Sequence, residues 1–219
     1  IGSCNIIIHE KSPNLIKKQK ANIKFKNIKW VSSLKKIDNL PSIFLANEFF
    51  DAIPIKQFLK YNDIWFERFV HISNDNKLSF VNKKIDIKIF EKKTNLKISK
   101  KQNFIEYSPL GMKYVKDILK FIKKNKGGLL IIDYGYFAEK MKDTLQAIHK
   151  KKYSKVLENI SKSDITYNIN FYYIKKIAKK MKELNINFTS QKKFLNKMGI
   201  QQRAEMISKN KTFTEKTDI

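Results

Sequence analysis

Three acids stand at the ends of short apolar runs. Glu10 closes Asn5-Ile6-Ile7-Ile8-His9, Glu48 follows Ile43-Phe44-Leu45-Ala46 after one Asn, and Asp133 ends Leu129-Leu130-Ile131-Ile132. Continuous, β-branched apolar runs of this length mark strands buried on both faces. Ligands of open parallel sheets sit outside the carboxyl ends of the strands, so parallel strands would bring the three acids to one edge. A lone strand-terminal acid is commonly a turn or helix cap. Three at one edge are more informative. At Glu10 a carboxylate can accept both hydroxyls of a nucleoside ribose, provided a glycine-rich turn precedes it by about 20 residues. No G-x-G-x-x-G occurs among the six Gly of this chain, and that turn would fall before residue 1.

The string Asn47-Glu48-Phe49-Phe50-Asp51-Ala52-Ile53-Pro54 adds a second carboxylate and an amide beside two aromatic rings. From its residues alone it reads either as a ligand-binding strand end or as an Asx turn that feeds Phe49 and Phe50 into the core. His9, His71 and His149 have no metal-ligand or triad spacing, and Cys4 is the only cysteine. Zinc, thiol and disulfide chemistry are therefore poorly supported, and no metal is expected.

The elements that position these acids follow a strand–helix alternation. Ser12-Pro13 reads as an N-cap with Pro in the first turn, and strands are predicted at Ile28–Val31 and Ile43–Ala46. Such spacing suggests βαβ units and a parallel sheet. From Ile55 to about Glu91 the segments become short and strand-like, broken at Asn62-Asp63 and Asn74-Asp75-Asn76, which predicts antiparallel hairpins. A helix is predicted from Pro109, with Leu110, Tyr114, Ile118 and Ile122 on one side, ending at Gly127-Gly128. Another is predicted over Phe171–Leu184, then a strand over Ile186–Thr189 and two short helices split at Gly199. The resulting division is 1–54 for the second part of an α/β core, 55–105 for an antiparallel insertion, and 106–219 for the rest of the core with helical insertions.

Composition bounds the function. The 219 residues carry 46 Lys and Arg against 20 Asp and Glu, a formal charge of +26. Only Arg68 and Arg203 are Arg, which leaves 44 Lys. Surfaces that read nucleic acid favour the planar guanidinium fork. Here Lys is spread along the chain with Ile and Asn, which share its A/T-rich codons. The charge is read as a solvated surface, and no specific nucleic-acid partner is expected. No apolar run reaches the roughly 18 residues of a membrane span. The first residues have neither the basic nor the apolar region of a signal peptide. They run directly into a strand, so the N-terminal part of the domain is expected to lie upstream.

The strings above, taken in order, resemble the MidA-type family. They are Glu10-Lys11-Ser12-Pro13 with Gln19; Ala46 through Phe58; Trp65-Phe66-Glu67-Arg68; Gly128 through Tyr136; Asp143-Thr144-Leu145-Gln146-Ala147; Asp164-Ile165-Thr166 with Asn170-Phe171; and Gln191 through Ile200. The resemblance covers nearly the whole chain and implies a class I, Rossmann-like methyltransferase fold that uses S-adenosyl-L-methionine. It implies methylation of a protein arginine in the assembly of respiratory complex I, with a complex I subunit as substrate, in the mitochondrial matrix or a bacterial cytoplasm. The alternative is an assembly factor that keeps the fold without turnover; a basic nucleic-acid binder ranks below both. On this reading Glu48 and Asp51 are the catalytic residues, Glu10 and Asn47 bind the cofactor, and Asp133, Tyr134 and Gln146 bind substrate. The family's glycine-rich cofactor loop has no counterpart here, so these 219 residues alone are expected to be inactive. The oligomeric state is not legible.

Overall fold

The computed structural model describes residues 4–98, 100–209 and 211. They fall into two compact units, divided between Leu184 and Asn185. The first unit opens with strand β1 (Ile6–His9), helix α1 (Pro13–Asn22) and strand β2 (Ile28–Val31), with β1 and β2 parallel and in register from Ile6↔Ile28 to His9↔Val31. Helix α1 starts where predicted, because the Ser12 side chain accepts from the Leu15 amide at 3.3 Å and Pro13 occupies the first turn. Strand β3 (Ser42–Asn47) pairs in parallel with β8 (Gly127–Ile132), much later in the chain, so everything between them is one long crossover.

That crossover contains the hairpin insertion. Strands β4 (Lys56–Tyr61), β5 (Ile64–Ile72) and β6 (Leu78–Ile85) form antiparallel hairpins, and β7 (Phe104–Tyr107) closes the sheet on the free edge of β4, in the order β6-β5-β4-β7. Asn62, Asp63 and Asn76 turn the chain with positive φ, as their short polar side chains allow. One segment differs from the sequence expectation. Ile87–Thr94 is a helix, α2, rather than strand, because the Asp86 carboxylate accepts from the Lys88 amide at 2.9 Å and Phe90 turns into the core.

Helix α3 (Pro109–Asn125) returns the chain to the parallel sheet. Ser108 caps it, accepting from the Gly111 amide at 3.0 Å. Its buried seam is Gly111, Met112, Val115, Ile118, Leu119 and Ile122, while Leu110 faces solvent. The expected four-residue spacing found the helix and its buried Ile118 and Ile122, with Tyr114 half-buried and only Leu110 turned outward. Gly127, which begins β8 (Gly127–Ile132), has φ +120° and lies so close to β3 that a Cβ would meet the Ser42 carbonyl oxygen at 1.9 Å. Only glycine fits both demands.

Short strands β9 (Gly135–Tyr136), β10 (Gln146–His149), β11 (Lys152–Ser154), β12 (Asp164–Thr166) and β13 (Ile169–Asn170) fill the following loop. Strands β9 and β13 pair in parallel, and β10 lies between β11 and β12. Helix α4 (Phe171–Lys179) buries Tyr173, Ile174, Ile177 and Ala178 and ends before Leu184. In the second unit Ile186–Thr189 is not a strand; alternation alone supplies no partner strand. Helices α5 (Gln191–Lys197) and α6 (Ile200–Ser208) meet at Gly199, whose φ is +83°. Among the described residues no helix is long and apolar enough to cross a membrane.

Candidate active site at the strand ends

The last paired residues of β3 and β8 are Asn47 and Ile132. Glu48 and Asp133 therefore leave adjacent parallel strands at the same edge. The Glu48 amide still reaches the Ile132 carbonyl at 2.9 Å, and its φ is +45°. A left-handed conformation at a residue with a long side chain is strained, and such strain gathers at functional sites. It turns the chain sharply, so that Glu48 stays exposed while Phe50 and Asp51 turn inward, at 1% and 6% exposure.

Asp133 holds this turn. Its Oδ2 accepts from the amides of Phe50 (3.0 Å) and Asp51 (3.3 Å), and its Oδ1 accepts from Tyr134 (2.9 Å). Burial, and then the charge of Asp51, raise its pKa to about 6. Asp51 is raised by burial and then by Glu48. Three carboxylates thus crowd one strand edge, and two of them resist ionisation. The spare negative charge favours a cation, and a guanidinium could donate charge-assisted hydrogen bonds to two of them at once.

Glu10 follows β1 and caps the next turn, its Oε1 accepting from the amides of Lys11 (2.7 Å) and Ser12 (2.9 Å). The strand end that carries it is tied to the β3 end through rings. His9 packs edge-on against Phe49 (6.1 Å between centroids) and Tyr114 (5.5 Å), and Phe49 against Phe50 (5.1 Å). The Nε2 of His9 is buried without a hydrogen-bond partner among the described residues, and burial lowers its pKa, so it packs as a neutral ring.

The remaining predicted residues lie on the loop after β8. Tyr134 is 63% exposed, and its carbonyl accepts from the Ile169 amide at 2.8 Å. Gln146 sits on β10 and donates to the Thr166 hydroxyl at 3.3 Å. The next residue, Tyr167, is buried, and its amide donates to the Asp51 carbonyl at 3.1 Å. The structure therefore brings Asn47, Glu48, Asp51, Asp133 and Tyr134 together directly, and reaches Gln146 through Thr166 and Tyr167. Among the described residues no cluster of His, Cys, Asp or Glu could hold a metal.

Sequence reasoning missed two participants. Tyr167 is buried close enough to Asp51, Asp133 and Glu106 for their charges, after burial itself, to hold its phenol well above the usual range. Glu106 is 7% exposed on β7, with its pKa raised by burial. Its signal was present: an acid inside the apolar run Phe104-Ile105-Glu106-Tyr107. A cavity of about 510 Å³ lies elsewhere, between α2, α3 and the hairpin sheet, lined by Phe58, Phe90 and Tyr107 and by none of these acids.

Comparison with known proteins identifies the family and the fold. Residues 1–189 match a family model described as "Putative S-adenosyl-L-methionine-dependent methyltransferase". Among curated proteins, the chain is 30% identical over 182 residues to the mitochondrial protein arginine methyltransferase NDUFAF7 of Danio rerio, covering 82% of this chain and 42% of that protein. It is 29% identical over 184 residues to the Caenorhabditis elegans homolog, covering 83% and 43%. The chain thus spans less than half the length of these relatives. Among solved structures, a Burkholderia thailandensis protein bound to S-adenosyl-homocysteine superposes with a TM-score of 0.77 at 17% identity, over 98% of this chain and 58% of that one.

Proposed function

Because this chain belongs to a family of S-adenosyl-L-methionine-dependent methyltransferases, we propose that its acidic strand edge positions a protein arginine for methylation. The observation that carries this reading is the convergence of Glu48, Asp51 and Asp133 at the adjacent ends of β3 and β8, with Glu48 in a strained turn. The names of its relatives, which are protein arginine methyltransferases, support the choice of acceptor. The resemblance to the MidA-type family supports a respiratory complex I subunit as the substrate, and the mitochondrial relatives support a matrix location.

The residues present suit a nucleoside cofactor. Glu10 stands at the end of β1, and its Oε2 accepts from no described residue while Oε1 fixes the carboxylate against the backbone. It would hold the ribose, with Asn47 at the end of β3 as a second contact to the cofactor. When bound, S-adenosyl-L-methionine supplies a methyl group on a positively charged sulfur. The protein's task is then placement. A guanidinium stays protonated, with pKa above about 12, so no residue here can make it neutral beforehand. Glu48, exposed at the edge, and Asp51 behind it can pair with the guanidinium and aim one nitrogen at the methyl group. Their charge also stabilises the cation through transfer, and a carboxylate of this edge would accept the proton that the nitrogen loses on gaining the methyl group. Asp133 keeps both in place by gripping the Phe50 and Asp51 amides, and the exposed Tyr134 and half-buried Gln146 would contact the surrounding peptide.

The test is Glu48→Gln in the full-length protein, which keeps size and removes charge. Methyl incorporation into an arginine-bearing protein substrate should fall about 10²–10³-fold, with cofactor affinity and melting temperature unchanged. Full activity in the folded variant would remove Glu48 from the site. No methylation by parent or variant would favour the assembly factor without turnover.

A further inference from the structure

The hairpin sheet is bonded to the acidic edge by one continuous polar path. Arg68 on β5, Gln57 on β4 and Glu106 on β7 stand opposite one another across three neighbouring strands. Arg68 Nη1 donates to Gln57 Oε1 at 3.0 Å, and Gln57 Nε2 donates to Glu106 Oε2 at 2.7 Å. Arg68 also donates to Asp143 Oδ2 at 2.9 Å, and Gln57 to Asp143 Oδ1 at 2.9 Å. Every polar atom of the Gln57 amide is engaged, so the row has one arrangement. Glu106 completes it by accepting from both the amide (3.2 Å) and the hydroxyl of Thr144.

Thr144 passes the constraint on. Its hydroxyl accepts from the Asn168 amide at 2.8 Å. The residues either side of Asn168 bond to the site: Tyr167 through its amide to the Asp51 carbonyl, and Ile169 through its amide to the Tyr134 carbonyl. The 167–169 segment is thus suspended from Thr144 on one side and bonded to Asp51 and Tyr134 on the other. A carboxylate suits position 106, because all its neighbours in this row are donors. Gln there would point its own N–H groups at Gln57 or Thr144.

We propose that Glu106 is a positioning residue which, through Thr144 and the 167–169 segment, fixes Asp51 and Tyr134 for the acceptor peptide. The hairpin insertion is then the frame against which the acceptor side of the site is set, rather than an appendage. The inference rests on the proposed methyltransferase reading for its effect on catalysis, but not for its effect on structure.

The experiment uses Thr144→Val, Thr144→Ser and Glu106→Gln in the full-length protein, with two readouts. Hydrogen exchange should accelerate about tenfold or more at the amides of Tyr167, Asn168 and Ile169 in Thr144→Val and Glu106→Gln. Amides of β1 and β3 should keep parental rates, and Thr144→Ser, which retains the hydroxyl, should restore protection. In the methylation assay, KM for the protein substrate should rise about tenfold or more with cofactor affinity unchanged. Parental exchange at 167–169 in Thr144→Val would overturn the proposal, as would uniform acceleration across the whole chain, which marks a merely structural role. If the parent protein transfers no methyl group, the functional reading fails, while the exchange experiment still decides the coupling.

Discussion

Asp133 and Asp51 share one predicament: one half-buried and one buried, each lies beside another acid and holds its proton more tightly than a free carboxyl does. A raised carboxyl pKa means that the folded state binds the proton more tightly than the unfolded chain. The pair's contribution to stability is therefore largest below the unfolded value near 3.8 and declines as pH rises through about 6. Function runs the other way, because a guanidinium needs the ionised forms. We expect methylation of an arginine substrate to climb as pH rises through about 6, where Asp133 gives up its proton, with Asp51 also held above the usual carboxylate range by burial and the charge of Glu48. A ¹³C titration of the Asp133 carboxyl in Asp51→Asn should show its midpoint moving down, since the Asp51 charge helps to raise it. An unmoved midpoint would mean that burial alone sets it. The acids themselves were legible in the sequence because they interrupt apolar runs. Their division of labour was not: whether Asp133 faces a substrate or grips the backbone of Phe50 and Asp51 depends on a contact 83 residues away.

Elements were legible where burial imposes a simple period. The β1, β2, β3 and β8 runs are strands as expected, but burial on both faces fails at β3, where Ile43 and Leu45 stay exposed, while Ser12 and Ser108 cap α1 and α3 as their side chains dictate. Ile85, Ile87 and Ile89 alternate as a strand would, yet Asp86 starts a helix between them, and one capping bond outweighs a three-residue pattern. The cap of α3 has a consequence of its own. Ser108 is 1% exposed, accepts from Gly111, and donates to the Pro54 carbonyl at 2.9 Å, where the hairpin insertion departs. A Cβ on Gly111 would lie 2.9 Å from the Ser108 Oγ and 3.2 Å from its Cβ. Gly111→Ala should therefore push Ser108 off both partners and destabilise the protein by about 1–3 kcal/mol, as overpacking does. Chemical denaturation would show this as a lower midpoint with an unchanged slope. A midpoint equal to the parent's would show that the cap can shift freely.

At the scale of the whole molecule, the parallel β3–β8 pair is covered on one side only. Phe44 packs edge-on against Phe121 of α3 at 5.4 Å, while Ile43 and Leu45, on the opposite face of β3, are 78% and 74% exposed. Set beside a formal charge of +26, this bare apolar face turns the chain into a balanced colloid. Like charges hold copies apart at low ionic strength, and the apolar face draws them together once that repulsion is screened. The Debye length falls from about 30 Å at 0.01 M salt to about 10 Å at 0.1 M. These 219 residues should therefore remain monodisperse in dilute buffer and cluster as salt is raised, the reverse of salting-in. Light scattering across that range would follow it, and Ile43→Lys with Leu45→Lys should abolish the clustering. Growth at low salt that disappears on adding salt would instead assign the attraction to charge, and the lysine surface, here only a source of repulsion, would become the sticky part of the molecule.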